Sequence, residues 1–328
     1  MKQITLAMGN GGVENRELIE KVIFRHLKNS YLERAEDATF LGTPQHLCFT
    51  TDSFTVSPLF FPGGDIGKLA VAGSCNDLAM MGAKPRFLSC SFIVEEGFSM
   101  RSFELILRSM KKELSINSAH VVTGDTKVVP KGSCDGLYIN ISAIGERVAD
   151  VSERYLEPGL LILISGSVAK HGAAIFAARE GIDLESDLKS DCKSVWPVVE
   201  EMLSVGGVKA MRDATRGGVA AVLNEWAGAS DVGIEIDEAA VPIADNVRGI
   251  CEILGFEPLV LANEGTFVAA VEPHRVERLL DILRRHDLDA ALIGRVTKEY
   301  PGRAVLRSEW GTRRFLDMPS GEILPRIC

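Results

Sequence analysis

The chain has 328 residues, 46% of them hydrophobic and 25% charged, and a formal net charge of −9. Its length suits two folded domains, its acidic balance without any basic run disfavours a nucleic-acid surface, and no apolar run approaches the roughly 18 residues that a membrane span needs. Seven cysteines without a C-x-x-C pair argue against a disulfide framework or zinc site and for a reducing compartment, and the start, Met1-Lys2-Gln3-Ile4, carries no signal-peptide core, so a cytoplasmic location is expected.

From the N-terminus, Gly9-Asn10-Gly11-Gly12 reads as a turn before a helix over 14–28. Apolar and β-branched enrichment predicts strands at 46–52, 86–94, 120–124 and 136–145. Helical spacing predicts helices at 65–82 and 99–115, the second capped by Ser99. Glu157-Pro158-Gly159 marks a boundary before a strand at 160–165. Helices are then expected near 170–180, 194–204, 217–228, 245–254 and 273–286, with strands at 233–236, 259–262, 266–271, 290–296 and 303–307. Residues 232–236 alternate, which predicts a strand with one solvated face. Neither half alternates strand and helix strictly, so the expected class is α+β, with two mixed α/β domains. The expected division is an N-terminal loop and helix (1–35), a first domain (36–150), a second (151–316) and a tail (317–328). Pro319, Gly321 and Pro325 break regular structure in that tail, which ends at Cys328. A cysteine so placed on an extended segment is able to deliver its sulfur to a distant cleft.

Carboxylates recur at the ends of apolar runs: Asp37, Asp52 in Thr51-Asp52-Ser53, Asp77 in Asn76-Asp77, Asp125 in Gly124-Asp125-Thr126-Lys127, and Asp213 in Asp213-Ala214-Thr215-Arg216-Gly217-Gly218. One such acid is usually a cap or turn former. Several on separate loops supply the hard oxygen ligands that magnesium on a polyphosphate needs. The loop holding Gly11 and Gly12 offers backbone N–H groups to phosphates, although it is not a Walker A sequence. Asp65 before the helix at 66 reads mainly as an N-cap. Lys127 and Asp125 fall on one face of a strand. Glu264, between two apolar runs, suits a general base if burial raises its pKa.

Together these residues resemble the HypE family of hydrogenase maturation factors, the carbamoyl dehydratases of nickel–iron hydrogenase assembly. That family sits within the wider group of aminoimidazole-ribonucleotide synthetase, thiamine-monophosphate kinase and selenophosphate synthetase. The resemblance runs nearly end to end and adds Phe61-Pro62-Gly63-Gly64-Asp65-Ile66-Gly67, Asn263-Glu264-Gly265 and Pro325-Arg326-Ile327-Cys328 to the motifs above. The Gly-Asp-Thr-Lys motif and the terminal cysteine single out this family. Many relatives have His where Met8 stands, so residue 8 offers no imidazole to a phosphate here.

The resemblance implies two aminoimidazole-ribonucleotide synthetase-like domains and a homodimer built by joining N-terminal sheets. It implies ATP held with Gly11, Gly12, Asp37, Asp52, Asp77, Gly124, Asp125 and Asp213, and magnesium on Asp37, Asp52, Asp77 and Asp213. Cys328 would carry a carbamoyl group placed by the carbamoyltransferase HypF, and Glu264 and Lys127 would serve its ATP-driven dehydration to a thiocyanate. The acceptor would be an iron-carrying HypC–HypD complex. Two competing readings use the same acids but not Cys328: an ATP-dependent small-molecule kinase or synthetase of the same superfamily, and a nucleotide-binding assembly scaffold.

Overall fold

A computed structural model describes residues 3–5, 17–29, 46–182, 187–318 and 326–328. Gly11 and Gly12, Asp37, and the tail breakers Pro319, Gly321 and Pro325 lie outside the described residues. Near the N-terminus a π-helical turn, Ile19–Ile23, runs into a short helix α1, Phe24–Leu27.

The first half builds a four-stranded sheet in the order β1-β6-β4-β5. Its strands are β1 (Leu47–Phe54), β4 (Ala83–Glu95), β5 (His120–Val129) and β6 (Leu137–Arg147). β4 and β5 run parallel and the other pairs antiparallel. A two-stranded hairpin, β2 (Phe60–Phe61) and β3 (Gly64–Asp65), leads into helix α2 (Ile66–Met80). Asp65 caps that helix: its Oδ1 accepts from the N–H groups of Gly67 (2.8 Å) and Lys68 (3.0 Å) and from the Ser109 hydroxyl (2.6 Å). Helix α2 is apolar nearly all round, as a helix covered on every side must be. It packs on β1 and β6 and also reaches the second half. Helix α3 (Met100–Asn117) lies beside it, started by Ser99, whose hydroxyl accepts from Ser102 N–H.

The sheet has two unlike faces. Residues 48, 50, 52 and 54 of β1 turn towards the core, whereas Leu47, Phe49, Thr51 and Ser53 are exposed. On β5, Thr126 and Val128 are buried and Asp125 and Lys127 are exposed.

The second half is a seven-stranded sheet, ordered β13-β12-β9-β11-β7-β10-β8. Its strands are β7 (Leu161–Ile164), β8 (Val208–Asp213), β9 (Gly233–Asp237), β10 (Phe267–Val271), β11 (Ala291–Thr297), β12 (Arg303–Arg307) and β13 (Arg313–Phe315). Only β9 and β12 pair in parallel. Five helices accompany it: α4 (Lys170–Glu180), α5 (Trp196–Val205), α6 (Gly218–Ser230), α7 (Asp245–Leu254) and α8 (Val276–His286). Both halves mix strands and helices without strict alternation, which is the α+β class expected.

Two expectations need correction. Residues 259–262 form no strand; Pro258–Val260 is a 3-10 turn, because Pro258 has no N–H to give a ladder. β9 has no solvated face: Glu235 is 6% exposed. Its carboxylate is held by Arg295 from β11 (3.0 Å) and Arg313 from β13 (2.7 Å), so a charge that alternation sent to solvent is covered by paired cations. Arg313 first, and Arg295 after it, hold the Glu235 carboxyl below the usual glutamate range. A Glu235→Ala chain should lower the urea unfolding midpoint by the equivalent of about 2 kcal/mol. Because the folded pKa is depressed, that contribution is present above the unfolded pKa and lost as pH falls through the folded one. The two unfolding curves should therefore converge in acid, and a gap that persists there would assign the loss to packing.

Candidate active site

β1 and α2 bring the first two acids together. The Thr50 hydroxyl donates to Asp77 Oδ2 (2.7 Å), which fixes the Asp77 carboxylate against β1. Asp52, two residues along on the same strand face, is pushed up to about 7 by burial and then by the neighbouring Asp77 carboxyl; Arg216 opposes the shift.

Asp213 arrives from the other sheet, at the end of β8 and in register with Phe267 of β10. Its carboxyl is also pushed up to about 7, first by burial and then by Asp77. Two loops are laced together beneath it. Ala214 N–H donates to the Thr266 carbonyl (3.1 Å), and the Asn263 backbone and side-chain N–H groups both donate to the Ala214 carbonyl (2.9 Å). The Asn263 side-chain oxygen accepts from Ala169 N–H (2.7 Å), so this one amide ties three segments.

Glu264 sits in that lacework, 3% exposed. Burial raises its carboxyl well above the glutamate range, and Asp213, Asp191, Asp52 and Asp77 raise it further. Asp191 holds the turn from below, accepting from the backbone N–H groups of Glu264 and Gly265 (3.1 Å each). Asn76 holds it from α2: its amide donates to the Lys193 carbonyl (3.0 Å) and its oxygen accepts from Val195 N–H (2.9 Å). Gly265 has no substitute here, since a Cβ would lie 2.0 Å from the Asp191 carbonyl oxygen.

Residues 326–328 are seated against this group. The Cys328 carbonyl accepts from the Thr55 N–H (3.0 Å) and hydroxyl (3.2 Å). The Ile327 carbonyl is 2.8 Å from His171 Nε2, and its side chain is buried in the first-half core. The Arg326 carbonyl accepts from Ser57 N–H (3.3 Å) and from the Arg179 guanidinium. The Arg326 side chain pairs with Asp135 (2.6 Å). Cys328 itself is half-buried, and its thiol is pushed up to about 12 by burial and then by Glu264, with Asp52 and Asp213 contributing and Arg216 opposing.

The structure thus brings Asp52, Asp77, Asp213, Glu264 and Cys328 into one electrostatic neighbourhood. It does not bring Asp125 and Lys127 there within one chain. These two form an ion pair (2.8 Å) on the exposed sheet face. Asp125 registers with Ser91, Asn140 and then Ser53. That row lies on the face opposite Asp52, and Asp125 is three strands, about 14 Å, from β1. Within one chain, β4 and β6 stand between the Asp125–Lys127 pair and β1, so Lys127 does not reach the Glu264 neighbourhood of its own chain. Gly124 also has a structural reason, because a Cβ there would meet the Cys90 carbonyl oxygen at 2.4 Å, beside the β4–β5 bulge.

Among the described residues, no set of three or more His, Cys, Asp or Glu side chains is arranged to hold a metal by itself. The donor chemistry of Asp52, Asp77 and Asp213 still fits a hard divalent cation shared with phosphate oxygens. Burial first, and the neighbouring Asp77 after it, raise the Asp52 and Asp213 carboxyls, and a bound cation would favour their charged forms.

Residues 35–147 match the AIR synthase related protein N-terminal domain, and residues 157–307 match its C-terminal domain. The chain is 44% identical to the carbamoyl dehydratase HypE of Escherichia coli K12 across the full length of both. The chain belongs to the HypE family. Its fold superposes on a crystal structure of HypE in complex with ATP with a TM-score of 0.95, at 43% identity over 99% of each chain. For the crystal structure of a HypE–HypF complex the values are 0.81 and 42%, over 92% of this chain and 99% of that one. Beyond the acids and Cys328, the site rests on Thr55, His171, Arg179 and Asp191, which the sequence does not single out. Each of those acts through a backbone N–H or carbonyl of a distant segment, which leaves no residue pattern to read.

Proposed function

We propose that this chain is an ATP-dependent carbamoyl dehydratase that converts a thiocarboxamide on its own Cys328 to a thiocyanate, the source of a cyanide ligand for hydrogenase maturation. The observation that carries the proposal is the seating of Cys328 against Glu264 and the aspartates, in a chain of the HypE family. A kinase or synthetase of this fold would have no use for such a seat.

The loading partner is a carbamoyltransferase, HypF, which places a carbamoyl group on the Cys328 sulfur. In the seat Cys328 is half-buried, its backbone is held by Thr55 and its neighbour Ile327 by His171, and burial disfavours the nucleophilic thiolate. Loading therefore takes place with the tail out of its seat and dehydration with the tail in it. In the seat, the carbamoyl oxygen attacks the γ-phosphorus of ATP, and ADP leaves. One N–H proton passes from the resulting iminium to water, giving an S-bound imidate phosphate. Glu264 then takes the second nitrogen proton as the C–O bond breaks, releasing phosphate and leaving S–C≡N. Burial and neighbouring carboxylates make Glu264 a stronger base than a free glutamate. Magnesium, held by Asp52, Asp77 and Asp213 together with Asp37, would neutralise phosphate charge and draw down the carboxyl pKa values around it. Gly11 and Gly12 would receive the phosphates. The acceptor of the cyanide would be the HypC–HypD iron complex. No helix among the described residues is long and apolar enough to cross a membrane, and the proposed site of action is the cytoplasm.

The test is the mass of the C-terminal peptide after incubation with the transferase, carbamoyl phosphate and magnesium–ATP. A carbamoyl adduct on Cys328 that loses the equivalent of one water only when ATP is present is the expected result. An unmodified Cys328 alongside a demonstrably active transferase would sink the proposal.

Lys127, Asp125 and Gly124 enter through a homodimer in which the exposed sheet faces meet, so that Lys127 of one protomer serves its partner's cleft. This arrangement predicts complementation. Lys127→Ala and Glu264→Gln chains, each inactive alone, should recover up to about a quarter of wild-type sites when co-expressed, because half the random pairs are mixed and each mixed pair holds one intact site. Recovery of no activity from confirmed mixed dimers would place both residues in one chain's site.

A further inference from the structure

The seat holds the tail chiefly by its backbone, and one helix holds both the tail and the turn that carries Glu264. We infer that His171 is the positioning residue of the tail: its Nε2–H, fixed in that tautomer by Ser190, grips the Ile327 carbonyl and sets how much of the time Cys328 is docked. This inference rests on the dehydratase reading for its purpose, though its geometry stands apart from it.

The protonation pattern follows from the partners. A carbonyl only accepts, so the 2.8 Å contact with Ile327 requires hydrogen on Nε2. His171 is fully buried and its pKa is lowered by that burial, so the ring is neutral and Nδ1 carries a lone pair. The Ser190 hydroxyl, 2.7 Å away, donates to Nδ1 and in turn accepts from Cys192 N–H (3.0 Å). Cys192 N–H, Ser190, His171 and Ile327 therefore form one directed chain of hydrogen bonds. Phe61 packs edge-on against the imidazole (centroids 5.5 Å apart, 85° between planes) and fixes its plane.

The neighbours of His171 carry the second half of the argument. Gly172 N–H donates to the Ala262 carbonyl (2.9 Å), and Ala169 N–H donates to the Asn263 side chain (2.7 Å). The first turn of α4 thus holds residues 262 and 263 through its backbone and residue 327 through His171. It sets the spacing between the Glu264 turn and the tail. Arg179, at the other end of α4, adds a second grip through the Arg326 and Ser57 carbonyls.

Alkylation of Cys328 by iodoacetamide, followed as the mass of the C-terminal peptide in the full-length chain, reads docking without ATP or transferase. In His171→Leu, which keeps apolar packing but loses the donor, the alkylation rate should rise about 10- to 100-fold, the range for one unpaired buried group. His171→Gln, whose amide N–H replaces Nε2–H, should recover part of the protection, which a general loss of packing would not. Ser190→Ala, a milder change, should move the rate in the same direction by less and covers the case of a poorly folded leucine variant. Pre-carbamoylated His171→Leu should dehydrate more slowly while its loading by the transferase is undiminished. Alkylation of a folded His171→Leu at the wild-type rate, or equal loss of protection in His171→Leu and His171→Gln, would overturn the inference. A raised alkylation rate together with a wild-type chain that performs no ATP-dependent dehydration would uphold the latch and dismiss the dehydratase reading instead.

Discussion

A Cys328→Ala chain will bind ATP with wild-type affinity and yield no thiocyanate. Of the acids and glycines proposed to receive the nucleotide, those described lie on β1, α2, β5 and the end of β8, and none depends on the sulfur. The tail's grips are main-chain oxygen contacts, the buried Ile327 side chain and the Arg326–Asp135 pair, all of which alanine at 328 preserves. The substitution therefore removes the atom that carries the carbamoyl group and little else, and the expected loss is complete. Titration of nucleotide binding alongside the peptide mass measures both halves. Weakened ATP binding would show that the thiol belongs to the nucleotide site, and residual product would assign the carbamoyl carrier to another residue.

Glu264→Gln is the second large effect. The variant should accept the carbamoyl group at the wild-type rate and accumulate it, with dehydration slowed by about 10²- to 10⁴-fold, the usual worth of a positioned general base. The amide matches the carboxyl in shape. The Asp191 and Asn76 contacts that hold this region use backbone groups and survive the exchange. Removing a buried carboxyl also relieves repulsion with Asp213, so the fold should not suffer. Quench-flow measurement of adduct decay on pre-loaded protein isolates the step. Decay at the wild-type rate would remove Glu264 as the base and leave Asp52 or Asp213 as the next candidates.

Much of the architecture was readable from hydrophobic pattern because its strands are β-branched and its helices are bounded by caps such as Ser99 and Asp65. The elements that escaped reading are those whose stability comes from neighbours. β8 carries Lys209 and Arg212 among its apolar residues and follows two glycines, so its pairing with β10 decides its conformation. β13 is three exposed residues held to β12 and to Glu235. The same division applies to the candidate site. Asp52, Asp77, Asp213 and Glu264 stand out because carboxylates at the ends of apolar runs are conspicuous. His171 and Thr55 meet the tail across 156 and 273 residues of chain, through backbone atoms that every residue possesses. The face on which Asp125 and Lys127 lie depends on sheet order, which pairwise motifs do not encode.

The raised pKa of the seated thiol has a bearing on the life of the protein between turnovers. Burial and the surrounding carboxylates hold the seated thiol towards its protonated form, so a docked chain carries less thiolate than a free cysteine would. Peroxide and electrophiles attack the thiolate, and the first oxidised state of a cysteine, once taken further, is not repaired. Parking Cys328 in the seat thus keeps the one sulfur that must survive every cycle in its least reactive form, and oxidative damage should fall mainly on chains caught with the tail undocked.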